Sequence, residues 1–437
     1  MFESAKCVHL IGAGGIGVSA VGKWLMAQGC VVTGSDAASS AITDDLVRRG
    51  IAITIGHDAK NIPAECNLVV YTEAASEDNV ERVEATARGI RSLGHFGFLG
   101  ELSANMRTIC VTGTNGKSTT TAMLGKIFED AGLDPTVFVG SLVPGWELGN
   151  LRIGASDILI IEGDEYKRKM LSLSPETTVI TNVELDHTDV YKDLDDVVAT
   201  FQQLVDKTSG DVFVNADDAN SQRLQGDRVS SYAHSDVTGS IGVPGIFNRA
   251  NAAAARIVAK QYGIADGVIA QSLASFTGIW RRFERVGDID FPPVRGGIKG
   301  GAGIPVISDY AHHPTAVKAT LLAAKEFFPG KRIILAFQPH QHNRTRELFD
   351  DFVTAFDAAD VVVLAEIYGV KGRTDTADIS SSDLVDAIKQ HNSSLNISYA
   401  ASLDDVEKQL REEIKDGDVV LVMGAGDIDS VARRLVL

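Results

Sequence analysis

The sequence predicts an α/β protein made of three consecutive α/β domains. Short apolar runs rich in β-branched residues alternate with helix-length segments along nearly all of the 437 residues, a length that suggests two to four domains. Two glycine-rich loops each join such a run to a helix-length segment. The runs predicted as strands are "CVHLIG", "VVTGSD", "NLVVYT", "TICVTGT", "DILIIEGD", "TVITN", "DVFVNA", "PVISDY", "RIILAF", "DVVVLAE" and "DVVLVMGAG".

The predicted domain boundaries follow changes along the chain. The first block ends near Asn105, where the strand "TICVTG" begins after the helix-like "FGFLGELSANM". A Gly- and Pro-rich stretch, "DIDFPPVRGGIKGGAGIP", precedes a further strand and suggests a third block. We therefore predict domains at residues 1–106, 107–287 and 288–437.

The composition argues against several kinds of partner. A net charge of -17 disfavours nucleic acid, because a protein that binds its backbone needs a basic surface. No run reaches the roughly eighteen apolar residues of a membrane span, and the N-terminal residues enter a strand pattern with no signal peptide. Four cysteines far apart in sequence favour free, buried thiols in a reducing cytoplasm. They are Cys7, Cys30, Cys66 and Cys110.

The first glycine loop, "HLIGAGGIGVSA", has the spacing of a dinucleotide-binding loop. Gly12, Gly14 and Gly17 fit GxGxxG between a strand and a helix, and Asp36 ends the next strand. Such a loop lets the backbone approach a diphosphate at a helix N-terminus, while the acid takes a ribose hydroxyl. Any nucleotide with a diphosphate can use this geometry, so an NAD-dependent dehydrogenase is one hypothesis at this point.

The second loop, "VTGTNGKSTTTAML", predicts a site for ATP or GTP. Its spacing, GxxGKS, is tighter than that of the usual phosphate-binding loop, but strand, glycines, lysine and hydroxyls stand in the same order. Backbone N–H groups can surround the phosphates, Lys117 can neutralise the terminal one, and the Ser118 hydroxyl can coordinate magnesium. The predicted nucleotide-binding residues are Gly113, Thr114, Asn115, Gly116, Lys117, Ser118 and Thr119.

Polar residues at two further strand ends extend this site. Glu162 ends the strand in "LIIEGDEY", with Asp164 and Glu165 just behind it, and His187 follows the strand of "VITNVELDHTDVY". Ligands gather at the carboxyl ends of parallel strands. A carboxylate and an imidazole beside a phosphate-binding loop could hold Mg²⁺, which prefers oxygen ligands. A capping or packing role would be the better interpretation of His187 taken alone.

At this point the chain resembles the Mur ligase family, the ATP-dependent amide-bond ligases of peptidoglycan synthesis, over essentially its whole length. The motifs that carry the resemblance are "GTNGKST", the strand end at Glu162, "TNVELDH", "RRFE", "SDYAHHPTAVKATL" and "FQPHQHNRTREL". The last two, with "GAGGIG" and "MGAGDI", are most similar to the branch that adds L-alanine to UDP-N-acetylmuramate. The resemblance implies a Rossmann-like first domain for the UDP-sugar, a central ATPase-like domain for ATP and Mg²⁺, and a Rossmann-like third domain for the amino acid.

The resemblance also implies roles for individual residues. The first loop would hold the diphosphate of the UDP-sugar rather than NAD, through Gly12, Gly14, Gly15, Gly17 and Asp36. Lys117 would contact the γ-phosphate, Ser118 and Glu162 would bind one Mg²⁺, and His187 another. Asn248, Asn251 and Arg282 would meet the nucleotide, and Tyr310, His312 and Arg344 the amino acid. Lys117, His187, His312 and Arg344 are thus the predicted catalytic residues.

The chain departs from the family pattern at two positions and leaves two other functions open. Phe247 stands where the family usually has His, which affects base selectivity, and Gln341 stands where the alanine-adding branch has Arg. With that charge missing, we expect a looser fit that admits glycine or serine as poorer substrates. One alternative is a recycling ligase that attaches a tripeptide to UDP-N-acetylmuramate. The other is a regulator that binds nucleotides without turnover.

Overall fold

The computed structural model describes residues 5–290, 303–369 and 378–437. The strands of these residues form three sheets in sequence order, and the predicted α/β class is confirmed. The contacts between residues divide the chain into two compact units. The first contains the residues up to Ile241 together with Arg249–Phe276, and the second contains Gly242–Asn248 and the residues from Thr277 onward. Residues 291–302 of the predicted third boundary lie outside the described ranges.

The first sheet is parallel throughout and has the strand order β3-β2-β1-β4-β5. The order changes direction between β1 and β4, and in such a sheet ligands bind outside the carboxyl ends of the strands at that place. The first glycine loop follows β1 and therefore lies there. The strands are β1 (Cys7–Ile11), β2 (Val31–Asp36), β3 (Ala52–Ile55), β4 (Leu68–Tyr71) and β5 (Arg91–Gly94), and the helices are α1 (Ile16–Ala27), α2 (Ala41–Arg48), α3 (Val80–Ala87) and α4 (His95–Ser103).

The second sheet has the order β12-β11-β10-β6-β9-β7-β8, parallel except for β8. Its central strand, β6, has β10 on one side and β9 on the other, so the ends of these three strands meet at one edge. Its strands are β6 (Arg107–Thr112), β7 (Thr136–Phe138), β8 (Leu151–Arg152), β9 (Ile158–Gly163), β10 (Thr177–Ile180), β11 (Val212–Asn215) and β12 (Val229–Tyr232). The helices that follow are α5 (Lys117–Asp130), α6 (Leu194–Lys207), α7 (Ile246–Gln261) and α8 (Asp266–Ala274).

Helix α4 joins the first sheet to the second within the first unit. It begins at His95, directly after β5, and three residues separate its end at Ser103 from β6. An ideal Cβ on Gly100 would lie 2.5 Å from the carbonyl oxygen of Ser172, so a side chain at that position would force the helix away. Apolar residues of both sheets form one buried cluster, including Leu10 and Phe201. The first and second sheets are therefore packed on a shared core.

The third sheet, in the second unit, has the order β13-β14-β18-β15-β16-β17, with β13 antiparallel to β14. Alternate residues of β15 face opposite sides: Leu335 and Phe337 join one buried cluster, while Ile334 joins another. Both faces are thus covered, as a parallel sheet requires. Its elements are β13 (Glu284–Ile289), β14 (Ile304–Asp309), α9 (Pro314–Phe327), β15 (Ile333–Phe337), α10 (His342–Glu347), α11 (Phe349–Ala355), β16 (Val361–Ala365), α12 (Ser381–His391), β17 (Asn396–Ala400), α13 (Leu403–Glu413), β18 (Val419–Met423) and α14 (Asp429–Leu435).

The cysteines and the lengths of the helices bear on two expectations from the composition. All four cysteines are buried and free, as predicted. Among the helices of the described ranges, none has the length and apolar character needed to cross a bilayer. 

Candidate active site

The first glycine loop is shaped by the end of the neighbouring strand β2. The backbone N–H groups of Gly12 and Ala13 both donate to the carbonyl oxygen of Ser35, at 2.9 Å. The N–H of Gly14 donates to Oδ2 of Asp36 at 2.8 Å, and an ideal Cβ on Gly14 would lie 2.9 Å from the same oxygen. Asp36, predicted to take a ribose hydroxyl, therefore also holds the loop in place.

The other glycines of this loop lead into α1. The N–H of Gly15 donates to the carbonyl oxygen of Gly12 at 3.1 Å, and Gly17 lies in the first turn of the helix. Because the first N–H groups of a helix have no partner within it, they are available to an anion at this end. The loop thus has the form that a diphosphate needs.

The second loop joins β6 to α5 with two glycines in the left-handed region. Gly113 has φ 134° and Gly116, the residue before α5, has φ 85°. Such values favour glycine, since a Cβ there is strained. Lys117 donates to the loop carbonyl oxygens of Gly113 at 2.7 Å and Thr114 at 3.1 Å. The side chain of Lys117, the first residue of α5, therefore folds back over the loop.

Glu165 connects the two predicted catalytic residues of the first unit, Lys117 and His187. Its Oε2 lies 2.8 Å from Nζ of Lys117, and its Oε1 lies 3.5 Å from Nε2 of His187. Burial alone would lower the pKa of Lys117, but the carboxylates of Glu165, Asp164 and Glu162 outweigh it and raise that pKa. The ammonium is accordingly kept charged. Glu165 stands close to Glu162 in the sequence, but its spacing alone predicts no role for it.

His187 has an unusual backbone. Its φ of 55° is in the left-handed region, which a non-glycine residue enters at a cost of about 1–3 kcal/mol. Its ring lies 4.8 Å from that of Tyr166. Burial would lower the pKa of His187, but Glu165 and Asp186 outweigh this effect and raise it. The backbone and two carboxylates thus fix the position of the imidazole near Lys117.

Ser118 and Glu162 are brought together at the start of α5. The Ser118 hydroxyl donates to Oε1 of Glu162 at 2.9 Å, and the N–H of Gly140 donates to Oε2 at 2.7 Å. A hydroxyl and a carboxylate are hard oxygen donors of the kind that Mg²⁺ prefers. Among the residues with described positions, no group of three or more His, Cys, Asp or Glu side chains could by itself hold a metal ion. The donor set fits Mg²⁺ shared with phosphate and water, which is how Mg²⁺ is usually held at phosphate sites.

Two asparagines brace the second loop. Oδ1 of Asn182 accepts the N–H of Asn115 at 2.9 Å, and its Nδ2 donates to the carbonyl oxygen of Asn115 at 3.0 Å. The carbonyl oxygen of Asn182 accepts the N–H of Thr114 at 3.0 Å. Asn251 of α7 contacts Gly116 so closely that no Cβ would fit there. Asn251 therefore lies beside the end of the loop where α5 begins. Thr119, in the first turn of α5, is buried.

In the second unit, Tyr310 lies under two arginines. The guanidinium carbons of Arg281 and Arg282 lie 5.0 Å and 4.8 Å from the centre of its ring. The buried carboxylate of Asp309 accepts the N–H groups of Phe283 at 2.6 Å and Ala311 at 2.7 Å. Burial raises the pKa of Asp309, against the influence of the two arginines. These contacts tie the predicted nucleotide residue Arg282 to the predicted amino-acid residue Tyr310.

The rest of the predicted amino-acid site forms a row of rings. The ring of His312 lies 5.9 Å from that of His340, which stacks on Tyr368 at 5.6 Å and 9°. Nη1 of Arg344 lies 3.3 Å from Nδ1 of His340. The structure thus places both His312 and Arg344 beside the imidazole of His340. Tyr368 was missed, because nothing in "AEIYGV" distinguishes it from a core aromatic.

The two departures from the family pattern have different surroundings. Gln341 has φ 73° and stands directly before α10, and its N–H donates to the carbonyl oxygen of Tyr368 at 2.9 Å. Phe247 packs against the apolar cluster of the third sheet. Its neighbour Asn248 is buried, and Nδ2 of that residue donates to the carbonyl oxygen of Pro244 at 2.6 Å. Phe247 is therefore also a packing residue.

Comparison with known protein families accounts for most of the chain. The model described as "Mur ligase family, catalytic domain" matches residues 7–107, and that of the "Mur ligase middle domain" matches residues 111–233. A third, described as "Mur ligase, glutamate ligase domain", matches residues 294–426. The chain belongs to the Mur ligase family. The resemblance drawn from the sequence motifs is confirmed.

Individual Mur ligases match along their full lengths. The UDP-N-acetylmuramate–L-alanine ligase of Lachnospira eligens is 35% identical over 470 residues, covering 100% of this chain and 99% of the relative. That of Clostridium tetani is 37% identical over 460 residues, covering 97% and 96%. The crystal structure of UDP-N-acetylmuramate-alanine ligase from Thermotoga maritima superposes with a TM-score of 0.82 at 28% identity, covering 99% and 98%. The family's three-domain α/β architecture therefore holds for this chain.

Proposed function

We propose that this protein joins L-alanine to the lactyl carboxylate of UDP-N-acetylmuramate, with ATP converted to ADP and phosphate. The observation that carries the proposal is the end-to-end match to relatives named for this reaction, at about 35% identity. The recycling ligase has weaker support: the murein peptide ligase of Psychrobacter arcticus has a TM-score of 0.67 at 23% identity, which speaks to the fold alone.

The reaction has two steps. A lactyl carboxylate oxygen forms a bond to the γ-phosphorus of ATP while the bond to the β–γ bridging oxygen breaks, leaving an acyl phosphate and ADP. The alanine nitrogen then forms a bond to the acyl carbon and loses a proton. The C–O bond to the phosphate group breaks, which leaves the amide and free phosphate. Both steps depend on charge moving between oxygens, so positioning and electrostatics supply most of the catalysis.

The residues of the first unit suit the phosphoryl step. Lys117 can exchange the carbonyl oxygens of Gly113 and Thr114 for phosphate oxygens while Glu165 keeps it charged. Loop N–H groups at the start of α5 can hold the remaining phosphate oxygens. Ser118 and Glu162 would hold one Mg²⁺, and His187 would serve another close to the transferring phosphoryl group. When bound, these ions supply positive charge beside the phosphates.

The residues of the second unit suit the acceptor. The guanidinium of Arg344 can bind the alanine carboxylate with a fixed charge. His312 can accept the proton that the alanine nitrogen loses, since imidazole titrates near neutral pH. Its Nδ1 lies 3.0 Å from the carbonyl oxygen of Tyr310, which fixes the direction of the ring. Gln341 supplies no second cation, so we expect alanine to be preferred over glycine and serine only modestly, by about 1–3 kcal/mol.

Phosphate release tests the proposal directly. Purified protein with ATP, Mg²⁺ and UDP-N-acetylmuramate is given L-alanine, glycine, L-serine or the murein tripeptide in turn. We expect the greatest kcat/KM with L-alanine and measurable turnover with glycine and serine. Turnover with the tripeptide alone would assign the recycling reaction instead. Nucleotide binding without turnover under any of these conditions would favour the regulator.

A further inference from the structure

A histidine–glutamate pair lies beside the first glycine loop and has no role in the function proposed so far. His95 begins α4, and its Nδ1–H donates to Oε2 of Glu73, which follows β4, at 2.5 Å. The other oxygen, Oε1, accepts the backbone N–H of Phe96 at 3.1 Å. Both atoms of the carboxylate are therefore occupied in fixing the ring and the start of its helix.

The opposite side of the imidazole faces the loop. An ideal Cβ on Gly17 would lie 2.7 Å from Nε2 of His95 and 2.8 Å from Cδ2. Only glycine allows the ring to approach the first turn of α1 so closely. Nε2 therefore lies beside the helix N-terminus where the loop is expected to receive a diphosphate.

The loop then has a different group at each end. On the β2 side, Oδ2 of Asp36 accepts the N–H of Gly14. On the β4–β5 side, His95 lies against Gly17. A carboxylate suits the hydroxyls of a ribose, whereas an imidazole suits the oxygens of a phosphate. This asymmetry gives a bound nucleotide one favoured direction across the loop.

We propose that His95 binds the diphosphate of the UDP-sugar on the side of its sugar, with Glu73 as the positioning residue. The uridine ribose then lies toward Asp36 and the sugar toward β4 and β5. This inference rests on the proposed function, because it takes the ligand of the loop to be a UDP-sugar. It adds to that function a residue that fixes the direction in which the ligand lies.

The charges of the pair fit this role. Burial would raise the pKa of Glu73. The hydrogen bond from His95, the imidazole charge and the N–H of Phe96 outweigh this effect and lower the pKa to about 2. The carboxylate is thus ionised at neutral pH and directs the Nδ1–H toward itself. With Nδ1 directed at Glu73, Nε2 is the ring nitrogen that meets the diphosphate, and an Nε2–H donated to a phosphate oxygen forms a charge-assisted hydrogen bond.

A purely structural role makes different predictions. If the pair only anchored α4, its loss would lower stability and weaken every ligand of the loop alike. If His95 contacts the diphosphate, its substitution weakens the binding of ligands that carry a diphosphate and leaves the binding of uridine unchanged. A series of ligands measured on folded variants therefore separates the two roles.

The experiment uses the full chain and three ligands: UDP-N-acetylmuramate and UDP by calorimetry, and uridine by ligand-observed NMR. The variants are His95→Gln, Glu73→Gln and the double substitution. His234→Gln is the matched control, since His234 also pairs with a carboxylate, Asp217 at 2.7 Å, after the edge strand β12 of the same unit. We expect His95→Gln to raise the Kd of both diphosphates roughly tenfold to a hundredfold, with uridine binding and the ATP KM unchanged.

The positioning role of Glu73 has its own readout. Glu73→Gln should raise the Kd of UDP less than His95→Gln does, and the double variant should bind UDP no more weakly than His95→Gln alone. Equal losses for UDP and uridine, or unchanged UDP affinity in His95→Gln, would overturn the inference. If the wild-type protein binds no UDP-sugar, the proposed function itself is at fault. The wild-type measurement thus tells the two failures apart.

Discussion

At the scale of single residues, Lys117 gives the sharpest test of the phosphoryl step. Its ammonium is held by Glu165 and two loop carbonyls, and Lys117→Ala removes the charge that would meet the γ-phosphate. We expect the rate of phosphate release with all substrates to fall by a factor of about a hundred or more. Lys126→Ala is the control, because Lys126 lies on the same helix and pairs with Asp130. Near-normal turnover in Lys117→Ala would reject the assigned role.

A second residue-scale prediction concerns the acceptor. Arg344→Ala removes the guanidinium beside His340 and should raise the alanine KM by roughly ten- to a hundredfold, the worth of a hydrogen bond to a charged group. The ATP KM should change little. Arg346→Ala is the control, since Arg346 lies on the same short helix but pairs with Asp378. A change in the ATP KM alone would assign Arg344 to the nucleotide instead.

At the scale of elements, the sequence predicted the interior of each sheet better than its edges. Every run predicted as a strand forms a strand. These runs are apolar, and each lies between two paired strands of its sheet. Within the described ranges, the strands that it missed include the edge strands of each sheet, such as β3 with "AITI", β13 with "ERVGDI" and β17 with "NISYA". These edge strands are rich in polar or exposed residues, and each pairs with a neighbour on one side only. Their own residues carry little signal.

The candidate site shows the same division. Residues inside motifs, such as Lys117 and Glu162, were predicted from spacing, since a phosphate needs a fixed local shape. Glu165 and Tyr368 become recognisable only when separate strand ends meet. His95 was missed for that reason too: its relation to Gly17 crosses from the end of β5 to the start of α1. Long-range proximity of this kind has no periodicity in the sequence.

Glu81 of helix α3 contacts His9 and Ser35 of the first sheet, which gives a pH-dependent prediction. Burial would raise the pKa of Glu81, but the His9 imidazole and hydrogen bonds from Ser35 at 2.5 Å and Asn61 at 2.7 Å lower it to about 2. A lowered folded pKa stabilises the protein above the ordinary value of 4.5, and this contribution is lost as pH falls toward 2. Glu81→Gln should therefore lower the free energy of unfolding by about 3 kcal/mol at pH 7, and by much less at pH 3.

Urea denaturation at pH 7, 5 and 3 measures this difference. Glu84→Gln serves as the control, because Glu84 lies on the same helix but is partly exposed. A gap between wild type and Glu81→Gln that stays constant with pH would show that the carboxylate charge is not what anchors the helix.

At the scale of the whole molecule, two compact units with separate cores predict two responses to core damage. Phe337, in β15, and Phe201, in α6, are both fully buried. Each Phe→Ala substitution should cost about 3–5 kcal/mol in its own unit. By calorimetry, Phe337→Ala should lower one thermal transition and Phe201→Ala the other. A single transition that moves equally in both variants would mean that the units unfold together.

The left-handed backbone of His187 has a consequence for how this protein can be improved. Glycine or asparagine at position 187 would relieve the backbone cost, so a library at this codon selected for survival after heating should become enriched in those residues. The same library selected for ligase activity should return histidine. Selection for heat resistance and selection for activity thus favour different residues at position 187. A variant selected for heat resistance alone is therefore expected to lose ligase activity through a substitution at this position.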